Sequence, residues 1–112
     1  MDQAQTPSDP NNLTELEQKH WPQIAAIHPK ENIKFAVKVS VGKVLHPMTE
    51  EHQIIYIEAF YGNKPVGKKF LKPGDLPEAT FDVTGKAGEI FRVFEFCNLH
   101  GLWKNEVEIK FN

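Results

Sequence analysis

The chain has 112 residues, 40% of them hydrophobic, with a formal net charge of -2 and a single cysteine. That length supports one core, and the near-neutral charge argues against nucleic acid as a partner, because phosphate binding needs a concentrated basic face. No apolar run is long enough to cross a bilayer, so no membrane partner is expected, and one thiol cannot form an internal disulfide.

In chain order, residues 1–12 (MDQAQTPSDPNN) are polar, rich in Pro and Asn, and free of any core-forming pattern. They predict a flexible N-terminal tail ahead of one domain over residues 13–112. They also lack the apolar or basic start of a secretory or transit signal, so the expected compartment is cytoplasmic. Thr14 and Glu17 have capping-box spacing, which predicts a short helical turn leading to Lys19 and His20. Pro22 and Pro29 end the helix signals.

From Ile33 the pattern is extended: Ile33, Phe35, Val37, Val39 and Val41 alternate with Lys34, Ala36, Lys38 and Ser40, the period of a half-buried strand. QIIYIEAFY is a second strand, closed by the turn GNKP, where Gly62 and Asn63 tolerate positive φ. Val66 to Leu71, Ala79 to Val83, Glu89 to Phe96 and Glu106 to Phe111 are the later strands, and TGKAG is a further turn. Six or seven short strands predict an all-β fold, an immunoglobulin-like antiparallel β-sandwich.

If each connection reverses the chain, the strand from Ile33 ends near His46 at one end, and the next strand leaves from His52 at that same end. The strand from Glu89 then delivers Cys97 and His100 there. Counting backwards through Trp21 to His28 adds His20. Each residue alone has an ordinary explanation: a solvated loop histidine, or a small buried thiol. Four imidazoles and the only thiol at one end point to a metal site. A structural zinc site uses more thiolates, and a blue-copper site wants a methionine soon after the cysteine, where this chain has none. Five nitrogen and sulfur donors suit iron with one position left open; a cupredoxin-like electron-transfer site and a metal-free binding sandwich are the alternatives.

The segments KHWP, HPMTEEH and CNLHGLW together resemble the superoxide reductase family of neelaredoxin and desulfoferrodoxin, from about Gln18 to the C-terminus. The resemblance implies an immunoglobulin-like sandwich holding one mononuclear non-haem iron, with His20, His46, His52 and His100 as equatorial ligands and Cys97 as the axial thiolate. His28 matches no ligand position. Larger relatives carry a second iron on four further cysteines, so this chain resembles the one-iron type. The family has Glu-Lys-His where this chain has Gln18-Lys19-His20, and that glutamate caps the oxidised iron in relatives.

The implied activity is one-electron reduction of superoxide to hydrogen peroxide. The axial thiolate would push electron density towards the open position, as in haem proteins, and the backbone amides of Leu99 and His100 would tune the sulfur. Lys19 is the implied catalytic residue outside the ligand set, drawing in the superoxide anion. Lys43 and Lys104 flank ligand motifs and add to the field. No Gly-rich strand-to-helix motif binds a nicotinamide or flavin, so rubredoxin or a similar protein is the implied electron donor. A homo-oligomer, dimer or tetramer, is implied as well.

Overall fold

The computed structural model describes residues 3–111. One short helix, α1 (Glu15–His20), precedes seven strands: β1 (Pro22–Ile27), β2 (Phe35–Val41), β3 (Ile54–Tyr61), β4 (Lys64–Phe70), β5 (Glu78–Val83), β6 (Ile90–Cys97) and β7 (Gly101–Glu108). They form two antiparallel sheets, ordered β1-β2-β5 and β4-β3-β6-β7, an immunoglobulin-like sandwich. Among the described residues no helix is long and apolar enough to cross a membrane.

Alternation explains the packing. In β2 the side chains of Phe35, Val37, Val39 and Val41 are buried, while Lys38 faces water. They meet Ile54, Ile57, Phe91 and Val93 of the facing sheet in one core. Ile33 carries the same alternation in the sequence, yet it is 59% exposed and lies ahead of the strand. It forms only an isolated bridge with Lys30.

Two registers place the site. Pro22 pairs with Val41, so the start of β1 lies beside the end of β2. Ile54 pairs with Cys97, so the start of β3 lies beside the end of β6. Residues just outside those pairs, His20, His46 and His52, therefore share one end of the sandwich with Cys97. Gly42 allows the close approach: a Cβ there would sit 2.7 Å from the Gln18 carbonyl oxygen. The Val44 amide donates to that same carbonyl at 3.0 Å, tying the end of α1 to the loop after β2.

The last strand differs from the sequence expectation of Glu106 to Phe111, since β7 runs Gly101–Glu108. Cys97 pairs with Gly101, and Gly101 has φ +83°. The chain reverses through residues 98–100 in a three-residue hairpin of the kind that needs a left-handed glycine, so pairing resumes at once. Ahead of residue 13, Gln5 pairs with Trp103 on the outer edge of β7.

Candidate metal centre

Each site side chain is delivered by a short local device. The predicted capping box is present, with the Thr14 side chain accepting from the Glu17 amide and the Glu17 carboxylate accepting from the Thr14 amide. This box stabilises α1, a helix of only six residues, by about 1 kcal/mol. The helix ends at His20, whose Nδ1 lies 2.7 Å from the Leu16 carbonyl oxygen. His46 Nδ1 lies 2.6 Å from the Pro47 carbonyl oxygen. In both rings Nδ1 therefore carries the proton and donates, which leaves the Nε2 lone pair free and fixes the ring's direction.

Those lone pairs converge. His20 Nε2 and His46 Nε2 are 3.1 Å apart, and Cys97 Sγ lies 3.4 Å from His46 Nε2. His52 Nε2 is buried with no hydrogen-bond partner. One donor atom from each of His20, His46, His52 and Cys97 lies within 4.8 Å of all the others. His100 stands at the rim: it is exposed, and its ring centre is 4.8 Å from that of His20 and 5.2 Å from that of His52. Trp103 stacks on His20 at 5.3 Å.

Without a cation this arrangement is costly. Two unprotonated Nε2 atoms at 3.1 Å repel, and protonating one would create a buried imidazolium. Burial is the first cause that lowers the pKa of His20, of His52 and of His46, the last to about 4. The residues fit a divalent transition metal with mixed nitrogen and sulfur ligands. Burial raises the Cys97 thiol, and the backbone amides of Leu99 and His100, hydrogen-bonded to the sulfur, oppose it. A metal would favour the thiolate outright.

Asn98 locks the two halves together. Its side chain accepts from the Gln53 amide at 2.9 Å and donates to the Glu51 carbonyl at 3.0 Å, while its backbone amide donates to the Gln53 carbonyl at 3.1 Å. These bonds bracket His52 from both sides. Met48 Sδ accepts from the Ile54 amide at 3.3 Å, so the chain's internal methionine already serves another partner.

The cluster opens into a cavity of ≈ 380 Å³ lined by Glu15, Leu16, Lys19, His20, His52 and His100. Lys19 Nζ lies 3.5 Å from Glu15 Oε1 at this mouth. Gln18 points elsewhere: its amide reaches the Leu13 carbonyl at 3.3 Å, beside Trp21 and Lys43. Trp21 Nε1 donates to the Lys104 carbonyl at 3.1 Å and anchors α1 to β7. His28 is exposed.

Two acidic residues escape the sequence reading. Glu15 precedes Lys19 by four residues, a helix-face spacing that was available. Glu95 is fully buried with neither carboxylate oxygen partnered, and burial raises its pKa well above 4.5. Alternation through Phe91, Val93 and Cys97 places it on the inward face.

A two-sheet sandwich with imidazole and thiol groups gathered at one end defines a protein with a site able to bind a metal. The comparisons name the family. The Desulfoferrodoxin pattern matches residues 12–106, and the chain belongs to that family. It is 46% identical to a desulfoferrodoxin of Nitratidesulfovibrio vulgaris over 80% of this chain, and it spans 63% of that relative's length. It is 37% identical to a superoxide reductase of Pyrococcus abyssi, over 83% of this chain and 89% of the relative. Among solved structures it resembles the superoxide reductase (neelaredoxin) of Ignicoccus hospitalis, with TM-score 0.72 and 34% identity over 83% of this chain and 81% of that one.

Proposed function

We propose that this chain is a superoxide reductase, with His20, His46, His52, His100 and Cys97 holding one iron and Lys19 serving the substrate. The observation that carries the proposal is the convergence of unprotonated imidazole nitrogens on a buried thiol beneath an open mouth. Iron bound there would supply the single electron that, with two protons, converts superoxide to hydrogen peroxide.

The protein's own groups do the rest. His20 and His46 stay neutral because burial disfavours their charged forms and outweighs the carbonyls of Leu16 and Pro47, whose hydrogen bonds favour the proton. Four neutral imidazoles add no charge, so a divalent cation with the one thiolate would carry a net charge of about +1, which attracts a small anion. The Leu99 and His100 amides hold negative charge on Cys97 Sγ. Lys19, with 41% of its side chain exposed at the mouth, raises the local concentration of superoxide. Glu15 competes for that ammonium, and an exposed pair of this kind is worth less than about 1 kcal/mol, so an incoming anion displaces it easily.

A rubredoxin-like electron donor, a homo-oligomeric state and a cytoplasmic location belong to the same proposal. Leu16 and Leu99, 42% and 60% exposed beside the mouth, suit a weak and transient docking contact. The test is metal analysis of the purified chain together with its reaction with superoxide. The expected result is about one iron per chain and one peroxide formed per superoxide consumed, with no dioxygen. A copper spectrum, or dioxygen released alongside peroxide, would defeat the assignment.

A further inference from the structure

The rim imidazole is the member of the cluster least fixed by packing. His20 and His46 are 1% and 3% exposed, whereas His100 is exposed and rides on the hairpin of residues 98–100. Its position depends on what holds its backbone. Two donors reach the His100 carbonyl: Trp103 Nε1 at 3.2 Å and Gln5 Nε2 at 2.6 Å. The shorter comes from a residue 95 positions away. Gln5 is itself pinned, since its amide donates to the Leu102 carbonyl at 2.8 Å and its carbonyl accepts from the Lys104 amide at 3.0 Å. These bonds add it as a one-residue strand to the free edge of β7. A Cβ on Gly101 would lie 3.4 Å from Gln5 Nε2, an ordinary contact, so the glycine is needed there for its φ of +83° and not for space.

We propose that Gln5 is a positioning residue for the metal centre: its side-chain amide, anchored by its own backbone on β7, holds the His100 hairpin so that the rim imidazole faces the other three. This rests on the reading of His100 as a ligand. Gln5 lies outside the 12–106 segment that matches the family. Backbone bonds to a ligand-bearing turn act as the outer partners of metal ligands do, by lowering the cost of holding the ligand in place.

The test titrates the full-length chain, stripped of metal, with Co2+, whose visible bands report thiolate ligation and coordination number. Gln5→Ala and Gln5→Glu both remove the donor and leave the β7 backbone bonds intact, and each is expected to weaken Co2+ binding by about tenfold. Their ligand-field bands should shift towards lower coordination number, and amide exchange at residues 98–101 should quicken. Gln5→Lys, which still presents a donor, is expected to stay within about twofold of the parent. If both donor-free variants bind Co2+ with the parent's affinity and spectrum, the inference is overturned, even where their metal-free thermal stability drops. A parent chain that shows no Co2+–thiolate band would overturn the metal assignment and this inference together.

Discussion

The two ends of the sandwich make opposite use of buried polar atoms. At the end away from α1 lies a cavity of ≈ 520 Å³, lined by Asn32, Tyr61, Thr84, Lys86 and Glu89 among others. Its charges are mixed in sign. Tyr61 is 5% exposed with its hydroxyl unpartnered, packed so closely on Gly85 that any Cβ there would overlap the ring. The opening over the cluster is smaller, ≈ 380 Å³, yet four donor atoms converge behind it. Volume does not mark the functional end. Lone pairs aimed at a common point do, because only a cation relieves their repulsion.

The sharpest way to break this contrast is to remove the sulfur. Cys97→Ser keeps the hairpin and its size but replaces a soft ligand with a hard, poorly ionised one. Loss of the sulfur-to-metal charge-transfer band is expected, with superoxide reduction falling by more than about a hundredfold, beyond the usual cost of losing a ligand's outer partner. Stopped-flow mixing with superoxide and the visible spectrum of the oxidised protein measure both. A retained band would place the sulfur outside the centre.

Removing the metal exposes the cost of the converging imidazoles. In the metal-free fold burial lowers His46 to about 4, whereas the unfolded chain binds that proton near pH 6.5. Between those values the unfolded state holds a proton that the folded state lacks, so stability falls as the pH drops through the window, by about 3 kcal/mol for this residue. His20 and His52 shift in the same direction. Glu95 works against them. Its raised pKa means that the folded state keeps a proton which the unfolded chain releases above about 4.5, so acidification restores stability. Urea unfolding of chelated Glu95→Gln from pH 7.5 to 5 isolates the histidine effect, above the range where Glu106, held low by its hydrogen bond to Arg92, takes up its proton. A flat profile there would mean that the imidazoles are not held buried and neutral in the metal-free fold.

Much of this end was legible because chain reversal counts ends reliably. His46, His52 and Cys97 flank strands whose alternation is strong, and the number of reversals between them sets where they meet. The same alternation, carried through Phe91, Val93 and Cys97, also places Glu95 inside, although a charged residue in a core strand runs against ordinary burial preference. The β7 boundary was hidden by Gly101, where a single positive φ restarts pairing sooner than residue composition suggests. Gln5 was beyond reach: one residue bridging to β7 leaves no periodic trace, and a polar, proline-containing stretch around it reads as tail. Glu15 lay in plain sight as the i,i+4 partner of Lys19, but a surface pair gains meaning only once the cavity beneath it is known.

A milder perturbation addresses access rather than ligation. Lys19→Ala is expected to slow the second-order reaction with superoxide by about three- to tenfold at low ionic strength and to flatten its salt dependence, because steering by an exposed charge is screened beyond about 10 Å at 0.1 M salt. Glu15→Gln should move the rate the other way by a smaller factor, since it frees the ammonium from its partner at 3.5 Å. Pulse-generated superoxide followed across salt concentrations measures both. Unchanged rate and slope in Lys19→Ala would leave the attraction of the anion to the centre alone.

The smallest effect belongs to the opposite end and tests the contrast from its quiet side. The Tyr61 hydroxyl is buried with no protein hydrogen-bond partner, and burial, followed by the nearby Glu89 carboxylate, raises its pKa. Tyr61→Phe removes only that oxygen from a ring already packed against Phe35 and Phe91. Losing an unsatisfied buried hydroxyl should stabilise the fold by about 1 kcal/mol, read as a higher urea midpoint at unchanged slope. The superoxide rate and the metal spectrum should match the parent, since no hydrogen bond links this ring to the cluster. A drop in stability would show that the hydroxyl is satisfied in solution. A changed metal spectrum would show instead that the two ends communicate through the core, and the separation drawn between them would fail.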